Sequence, residues 1–338
     1  MDERPAKNDA APKPIEPADE IGHVPVLPGQ VMELLAPKPG GVFVDCTAGR
    51  GGHASLVIPT LGPGGTYLAL DLDPGNLAYT RQRCGPIAEA HGVTLHTVQQ
   101  NFAGVRSAMD TLGVERADAL LADLGFASNQ VDDADRGLSF KHDGPLDMRL
   151  DPDGAVTAAQ LVNTLPEREL ADLIYRLGEE RLSRRIARKI VAQRAIEPIS
   201  RTFGLAKICR SAYGHQPRSV RIDPATRTFQ ALRIAVNGEL DALDRLLAQL
   251  AGVLTSGGRA GMISFHSLED RPVKRAFLKA QQDGWANRLN RKPITADEAE
   301  QQHNPRSRSA KFRVIERLAL DHPQAPGGDR REPRPQQT

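Results

Sequence analysis

Short apolar runs recur along the first part of the chain, and each gives way to a segment whose apolar residues return every three or four positions. The runs at 42–46, 66–71, 93–98 and 118–123 read as buried strands. Helical periodicity fills the gaps at about 53–61, 75–84 and 103–112. This alternation predicts a parallel sheet with right-handed crossovers. The pattern changes over 127–228, where no convincing strand occurs and helices are expected at 158–165, 167–177 and 181–194. In the last of these, Leu182, Ile186, Ile190 and Val191 share one face. The chain then offers one long amphipathic helix over 229–254, a strand at 259–265 and a final strand at 310–318. The organisation expected is an α/β, doubly wound domain formed by 22–126 and 229–319. A helical module, 127–228, is inserted between its fourth and fifth strands. Residues 1–21 and 320–338, rich in proline and charge, read as disordered tails.

The junction between the first strand and its helix carries the chemistry. Asp45-Cys-Thr-Ala-Gly49-Arg-Gly51-Gly52-His53 is a strand end, a glycine-rich turn and a helix start, and Asp71 closes the second strand. A glycine turn followed by an acid about 20 residues on is a nucleotide-cofactor signature: the glycines let the backbone approach the ligand, and the acid binds ribose hydroxyls. Dehydrogenases and methyltransferases both use it. Three features favour S-adenosylmethionine. Asp45 precedes the turn, where an arriving pyrophosphate would be repelled but a sulfonium and an ammonium would not. Asp71 stands where an adenosine diol would be read. Asp123-Leu-Gly-Phe126 ends strand four, where a class I methyltransferase faces the transferring methyl. The fold class expected is therefore a class I S-adenosylmethionine-dependent methyltransferase, Rossmann-like, with a helical substrate-recognition insertion.

Composition narrows the partners. Of 338 residues, 40% are hydrophobic, enough for a sizeable core, while the 4% aromatic content argues against extended base stacking as the main mode of nucleic-acid binding. Net charge is only +2, but its distribution is uneven. Arg181, Arg184, Arg185, Arg188, Lys189, Arg194, Arg201, Lys207, Arg210, Arg218 and Arg221 fall in one stretch with a single acid, Glu197. A second basic set comprises Arg288, Arg291, Lys292, Arg306, Arg308, Lys311 and Arg313. Such runs suit phosphate contacts. The three cysteines (Cys46, Cys84, Cys209) form no CxxC pair, and the nine histidines form no ligand set, so neither a disulfide framework nor a metal is expected. No signal peptide or membrane segment is expected, which fits a cytoplasmic protein.

Several ordered blocks resemble the ribosomal RNA small subunit methyltransferase H family. They are His23-Val-Pro-Val-Leu27, Gly49–His53, Arg136-Gly-Leu-Ser-Phe140, Gly144-Pro-Leu-Asp-Met-Arg-Leu-Asp151, Gly178-Glu-Glu-Arg181, Ala225-Thr-Arg-Thr-Phe-Gln230, Ile263–Arg271 and Asn304-Pro-Arg-Ser-Arg-Ser309. Together they span about 23–317. The resemblance implies methylation of the exocyclic N4 amine of a decoding-region cytidine in 16S rRNA (cytosine 1402 in the family). It further implies an assembled or nearly assembled small ribosomal subunit as substrate, and it leaves a homodimer open. It places cofactor contacts on Gly51, Gly52, His53, Asp71, Phe102, Asp123 and Gln130. Where the family commonly reads Asp-Leu-Gly-Val-Ser-Ser-Pro-Gln, this chain has Phe126, Ala127 and Asn129. Cys46 and Ala48 also depart from the family pattern.

The catalytic candidates are Asp123, which would accept an N–H of the cytosine amine and localise its lone pair, and His266, which follows strand five. Asp147 is a weaker candidate for holding the base, pairing with Arg149 being the favoured reading. His53, at a helix start, suits orientation rather than catalysis. Arg184, Arg185 and Arg188 are the RNA-contact candidates. Two other readings remain open from the residues: a nicotinamide-dependent dehydrogenase, and a non-catalytic ribosome assembly factor that keeps an inert pocket.

Overall fold

The computed structural model describes residues 24–214 and 222–319. The expected disordered tails, and Arg218 and Arg221 of the basic run, lie outside those residues. The chain runs through α1 (Pro28–Leu35), β1 (Val42–Asp45), α2 (Ala54–Leu61), β2 (Thr66–Asp71), α3 (Pro74–His91), β3 (Thr94–Gln99), α4 (Val105–Thr111) and β4 (Ala117–Asp123). Seven helices follow without a strand: α5 (Ser128–Asp132), α6 (Ala158–Thr164), α7 (Glu167–Gly178), α8 (Ser183–Arg194), α9 (Thr202–Tyr213), α10 (Thr226–Asn237) and α11 (Glu239–Val253). The chain closes with β5 (Leu254–Ser264), α12 (Ser267–Gln282), β6 (Ala286–Arg288), α13 (Glu298–His303) and β7 (Lys311–Arg317).

The strands form one seven-stranded sheet in the order β3-β2-β1-β4-β5-β7-β6. The first five are parallel, and β7 runs antiparallel to both β5 and β6. Alternation along the strands divides the core into two layers. Phe43, Tyr67, Ala69 and Leu121 face α1, α2 and α3. Val44, Leu68, Leu70, Leu120 and Ala122 face α4, α11 and α12. The order reverses between β1 and β4. In an open α/β sheet a ligand crevice forms outside the strand ends at such a point.

The helical segment has a core of its own. Leu170 and Ile174 of α7, Ile186 and Ile190 of α8, Leu205 and Cys209 of α9, and Phe229 and Leu232 of α10 pack together there. Phe140 meets Phe229 edge-on, with ring centroids 4.8 Å apart. Asn237 ties the preceding loop to α10: its Oδ1 accepts from Leu150 N (2.8 Å) and its Nδ2 donates to the Met148 carbonyl (2.9 Å).

The helix expected over 229–254 is two helices. Gly238, at φ +58°, caps α10 in the left-handed region, which only glycine adopts without strain, and α11 starts at the next residue. Apolar periodicity continues across the break, so the sequence pattern conceals it. The helices α1, α9 and α12 and the strand β6 lie where no element was expected, and β5 begins five residues earlier than its expected start at 259.

The junction between α7 and α10 is close enough to test. A Cβ added at Gly178 would lie 2.4 Å from the Arg227 carbonyl oxygen and 3.3 Å from Ala231 Cβ. Gly178→Ala is expected to cost about 1–3 kcal/mol by overpacking, read as a lower thermal midpoint of the full-length protein. An unchanged midpoint would show that the two helices part freely.

Candidate active site

A cavity of about 360 Å³ lies across the carboxyl ends of the strands. It is lined by Gln100 and Phe102 after β3, Asp71 at the end of β2, Cys46 to Arg50 after β1, Asp123 to Ala127 after β4, and Phe265 and His266 after β5. Lys141, Arg233, Glu269 and Arg306 complete its walls.

The turn after β1 is held by hydrogen bonds to its neighbours. Gly49 N donates to Asp71 Oδ2 (2.8 Å), and the Gly49 carbonyl accepts from Thr80 Oγ1 (2.9 Å). Gly49 and Gly51 both have positive φ, +52° and +72°. Gly52 lines the cavity, whereas Gly51 is set behind the wall, where a Cβ would come within 2.7 Å of Cys84 Sγ. Gly51 thus shapes the turn rather than lining it.

Asp45 does not line the cavity. Its Oδ2 accepts from the Tyr67 hydroxyl (2.7 Å) and its Oδ1 from Thr47 N (3.0 Å), and it is 1% exposed. The carboxylate expected to favour a sulfonium and an ammonium at this turn thus braces the turn from inside, behind the cavity wall. Burial pushes its pKa up to about 6, against the opposing Tyr67 and Thr47 hydrogen bonds.

Asp71 lines the cavity while also accepting from Gly49 N and Asp73 N, and at longer range from Asn76 Nδ2 (3.4 and 3.5 Å). Burial raises it to about 6, opposed by these donors. A carboxylate has about four acceptor sites, so a hydroxyl group would compete chiefly with the long Asn76 contacts. Asp123 is braced through its backbone, whose N–H donates to Thr47 Oγ1 (2.7 Å). Its Oδ2 lies 3.9 Å from His53 Nε2, and its Oδ1 is buried without a hydrogen-bond partner. Burial, with the nearby Asp45 and Glu269, pushes its carboxyl well above the usual range.

His53 lines the cavity at the start of α2, and Phe102 opens the short 3₁₀ turn after β3. Gln130 is buried in the wall. Its Oε1 accepts from Ala127 N (2.9 Å) and its Nε2 donates to Asp73 Oδ2 (3.0 Å), so it ties the loop after β4 to the start of α3. Arg136 pairs with the same Asp73 oxygen.

His266 sits between two charged residues that the sequence reading did not single out. Its Nε2 lies 3.2 Å from Glu269 Oε1 and 3.5 Å from Arg233 Nη2, and its Nδ1 is buried without a partner. Burial and the Arg233 charge lower its pKa to about 3, so the ring is neutral. Glu269 Oε2 accepts from Phe265 N (2.8 Å), fixing the start of α12 in the manner of a capping box. Burial raises Glu269 to about 7. Arg233 occupies the buried face of α10 among Phe229, Leu232 and Ile234. A charge on an apolar face was the available signal for it, and the Ser/Thr-x-x-Glu-like spacing after a strand was the signal for Glu269.

Other candidates lie elsewhere. Asp147 is joined to Arg149 by two hydrogen bonds of 2.8 Å and does not line the cavity. Arg184, Arg185 and Arg188 stand exposed on α8, away from the cavity wall. Arg188 also faces Glu167 at 3.7 Å. Arg201 and Arg210 pair with Asp143 and Asp223, so the basic run is less uncompensated than its sequence suggests.

Residues 20–318 match the MraW methylase family. This chain belongs to that family. Among its relatives, the Ribosomal RNA small subunit methyltransferase H of Geobacter sp. (strain M21) is 44% identical, over 89% of this chain and 100% of its own length. The protein of the same name from Acidobacterium capsulatum is 47% identical, over 87% of this chain and 98% of its own. That from Synechococcus elongatus is also 47% identical, over 88% and 95%. The fold of this methylase is that of the class I S-adenosylmethionine-dependent methyltransferases, and S-adenosylmethionine is its cofactor. The cavity fits that assignment: it spans the switch point, and it holds the Asp71 carboxylate and an orphaned buried oxygen on Asp123. Among the described residues, no helix is long and apolar enough to cross a membrane.

The raised carboxyls make the methylase's stability depend on pH with a definite sign. In the unfolded chain Asp45 and Asp71 titrate near 3.8 and Glu269 near 4.5; in the fold they titrate near 6, 6 and 7. The folded state holds these protons more tightly, so their contribution is complete below the unfolded values and is lost as pH rises through the folded ones. The melting temperature of the ligand-free protein is expected to fall between about pH 4 and 7, by less than the three carboxyls alone would give because His266, lowered from 6.5 to about 3, acts with the opposite sign. Asp45→Asn, which keeps the shape and removes one titration, should show a smaller fall. Identical slopes for the two proteins would mean that Asp45 is ionised in the fold throughout this range.

Proposed function

We propose that this methylase transfers a methyl group from S-adenosylmethionine to the exocyclic N4 amine of a cytidine in the 16S rRNA of the small ribosomal subunit, cytosine 1402 in its family, and that it works in the cytoplasm. The observation that carries the chemistry is a buried acceptor without a protein partner, Asp123 Oδ1, on the cavity at the end of β4, with the unpartnered Nδ1 of His266 at the end of β5. An amine conjugated to a pyrimidine has its lone pair delocalised into the ring. An acceptor for its N–H localises that pair and aims it. Leaving such an atom unpaired in a fold is costly, and an N–H of the amine would satisfy Asp123 Oδ1.

The roles divide along the sheet. Asp71 would take the ribose hydroxyls and Phe102 the adenine side. The Gly49–Gly52 turn and His53 would hold the methionine end, and Gln130 would keep the loop over it closed. The cofactor supplies an electrophilic methyl when bound. Asp123 orients the acceptor amine. His266 is kept neutral by burial and Arg233; with Nε2 accepting from Arg233 Nη2, its Nδ1 carries the ring proton and would donate to an acceptor of the substrate. Ionised Asp123 would be favoured beside a cationic ligand, which reverses the effect of burial. The methylated amine is cationic and releases its proton readily, so no strong base is needed.

The segment 127–228 is read as the RNA-recognition domain, inserted into a methyltransferase domain of 22–126 and 229–319. Its support is the separate apolar core and the exposed Arg184, Arg185 and Arg188. A target base in folded RNA must leave its stack to enter a cavity of this kind. Membership of a methylase family leaves no support for a nicotinamide-dependent dehydrogenase, and the orphaned acceptor argues against an inert pocket.

The test is methylation of small subunits from cells that lack this protein, with the modified nucleotide mapped by mass spectrometry. Asp123→Ala is expected to slow methyl transfer about 100-fold or more, while Asp71→Ala chiefly weakens S-adenosylhomocysteine binding. Parent-like activity in both variants would refute the site. Reversing the charge of Arg184, Arg185 and Arg188 together should weaken small-subunit binding, most visibly at low salt and with a shallower salt dependence than the parent, and leave S-adenosylhomocysteine affinity intact. Equal loss of both would place these arginines in the fold rather than at the RNA.

A further inference from the structure

Phe126 is a large apolar side chain at a polar site, 40% exposed, lining the cavity three residues after Asp123. Gly125, at φ +104°, turns the chain after β4 and presents it. The ring is not loose. The Arg233 guanidinium carbon lies 4.5 Å from its centroid. Arg233 is itself fixed, donating from Nε to Glu239 Oε1 and from Nη2 to Glu239 Oε2, both at 2.8 Å, and is 8% exposed. A buried ion pair thus holds a cation against one face of an aromatic ring that gives onto the cavity. Cation–π contact and a locked partner remove much of the rotamer freedom that an exposed phenyl would otherwise lose on binding.

The place of this ring along the sheet says what it can meet. The β2 and β3 ends, with Asp71, Gln100 and Phe102, lie on the far side of the β1 turn. Phe126 lies on the β4–β5 side, with the orphaned atoms of Asp123 and His266. A planar heterocycle stacked on the ring would offer its amino edge to Asp123 Oδ1. We propose that Phe126 is the stacking platform for the unstacked target base, and that Arg233, pinned by Glu239, is the positioning residue that holds the platform. The inference rests on the reading that a base amine is methylated at this cavity.

The experiment uses the full-length protein and small subunits lacking the modification, and begins by showing that the parent methylates them. Failure at that point would overturn the reading of the function, independently of Phe126. With an active parent, Phe126→Leu, which keeps apolar bulk and loses the π-face, is expected to lower kcat/KM for small subunits about 5- to 150-fold, the range of one base–aromatic stack. Phe126→Tyr and Phe126→Trp should restore it. S-adenosylhomocysteine affinity should stay within about twofold of the parent in all three. Parent-like activity in Phe126→Leu, or aromatic variants no better than Leu, would overturn the proposal. Loss of S-adenosylhomocysteine binding in Phe126→Leu would also overturn it, by making the ring a cofactor contact.

Discussion

Carboxyl groups buried at the ends of neighbouring strands are the constraint around which this structure is arranged. Asp45, Asp71 and Asp123 close β1, β2 and β4, the strands that flank the switch point. Water is largely excluded from all three, so each must find donors or give up its charge. Asp45 finds Tyr67 and Thr47, and Asp71 finds Gly49 and Asp73. These bonds draw the glycine turn against β2 and set its path. Asp123 alone keeps an oxygen unpaired. The same desolvation that shapes the loops thus leaves one acceptor for use in chemistry.

The helical segment reaches this centre directly through Gln130, Lys141 and Leu150, and through α10, which also joins the helical core. Arg233 belongs to the buried face of α10, beside the Phe229 and Leu232 that pack in that core. Its guanidinium touches Phe126, faces His266 and is clamped by Glu239 at the start of α11. One side chain therefore holds an aromatic ring at the cavity and, second to burial, keeps a histidine neutral. The helices packed around α10 and the cavity at the ends of β4 and β5 share this element.

The α/β grammar was legible because buried parallel strands are near-continuous apolar runs. Four of the five parallel strands were located to within a residue or so, and β5 was found in part. Residues whose placement follows from backbone geometry were also legible: glycines in a turn, acids at strand ends. Three things were hidden. Gly238 breaks a helix without breaking its apolar period. Asp45 looked like a ligand group because sequence shows its position and not the Tyr67 hydroxyl that occupies it. Arg233 and Glu269 lie far apart in sequence and acquire meaning only when α10 and α12 meet over the strand ends. The basic run was visible in the sequence, but the acids that neutralise part of it, Asp143, Glu167 and Asp223, lie outside its densest part or pair across the fold.

The break at Gly238 bears on how this chain can change in length. Arg233 and Glu239 are on opposite sides of it, and their paired bonds fix the rotation of α10 relative to α11. A residue inserted in α10 after Arg233 would turn the arginine by about 100° about the helix axis, away from Glu239, His266 and the Phe126 ring at once. Loops on the surface of the helical segment carry no such phase relation to the cavity. Insertions and deletions are therefore admissible at the loop around Asp153 and excluded between Arg233 and Glu239, where five residues hold the cavity in register with the neighbouring helices.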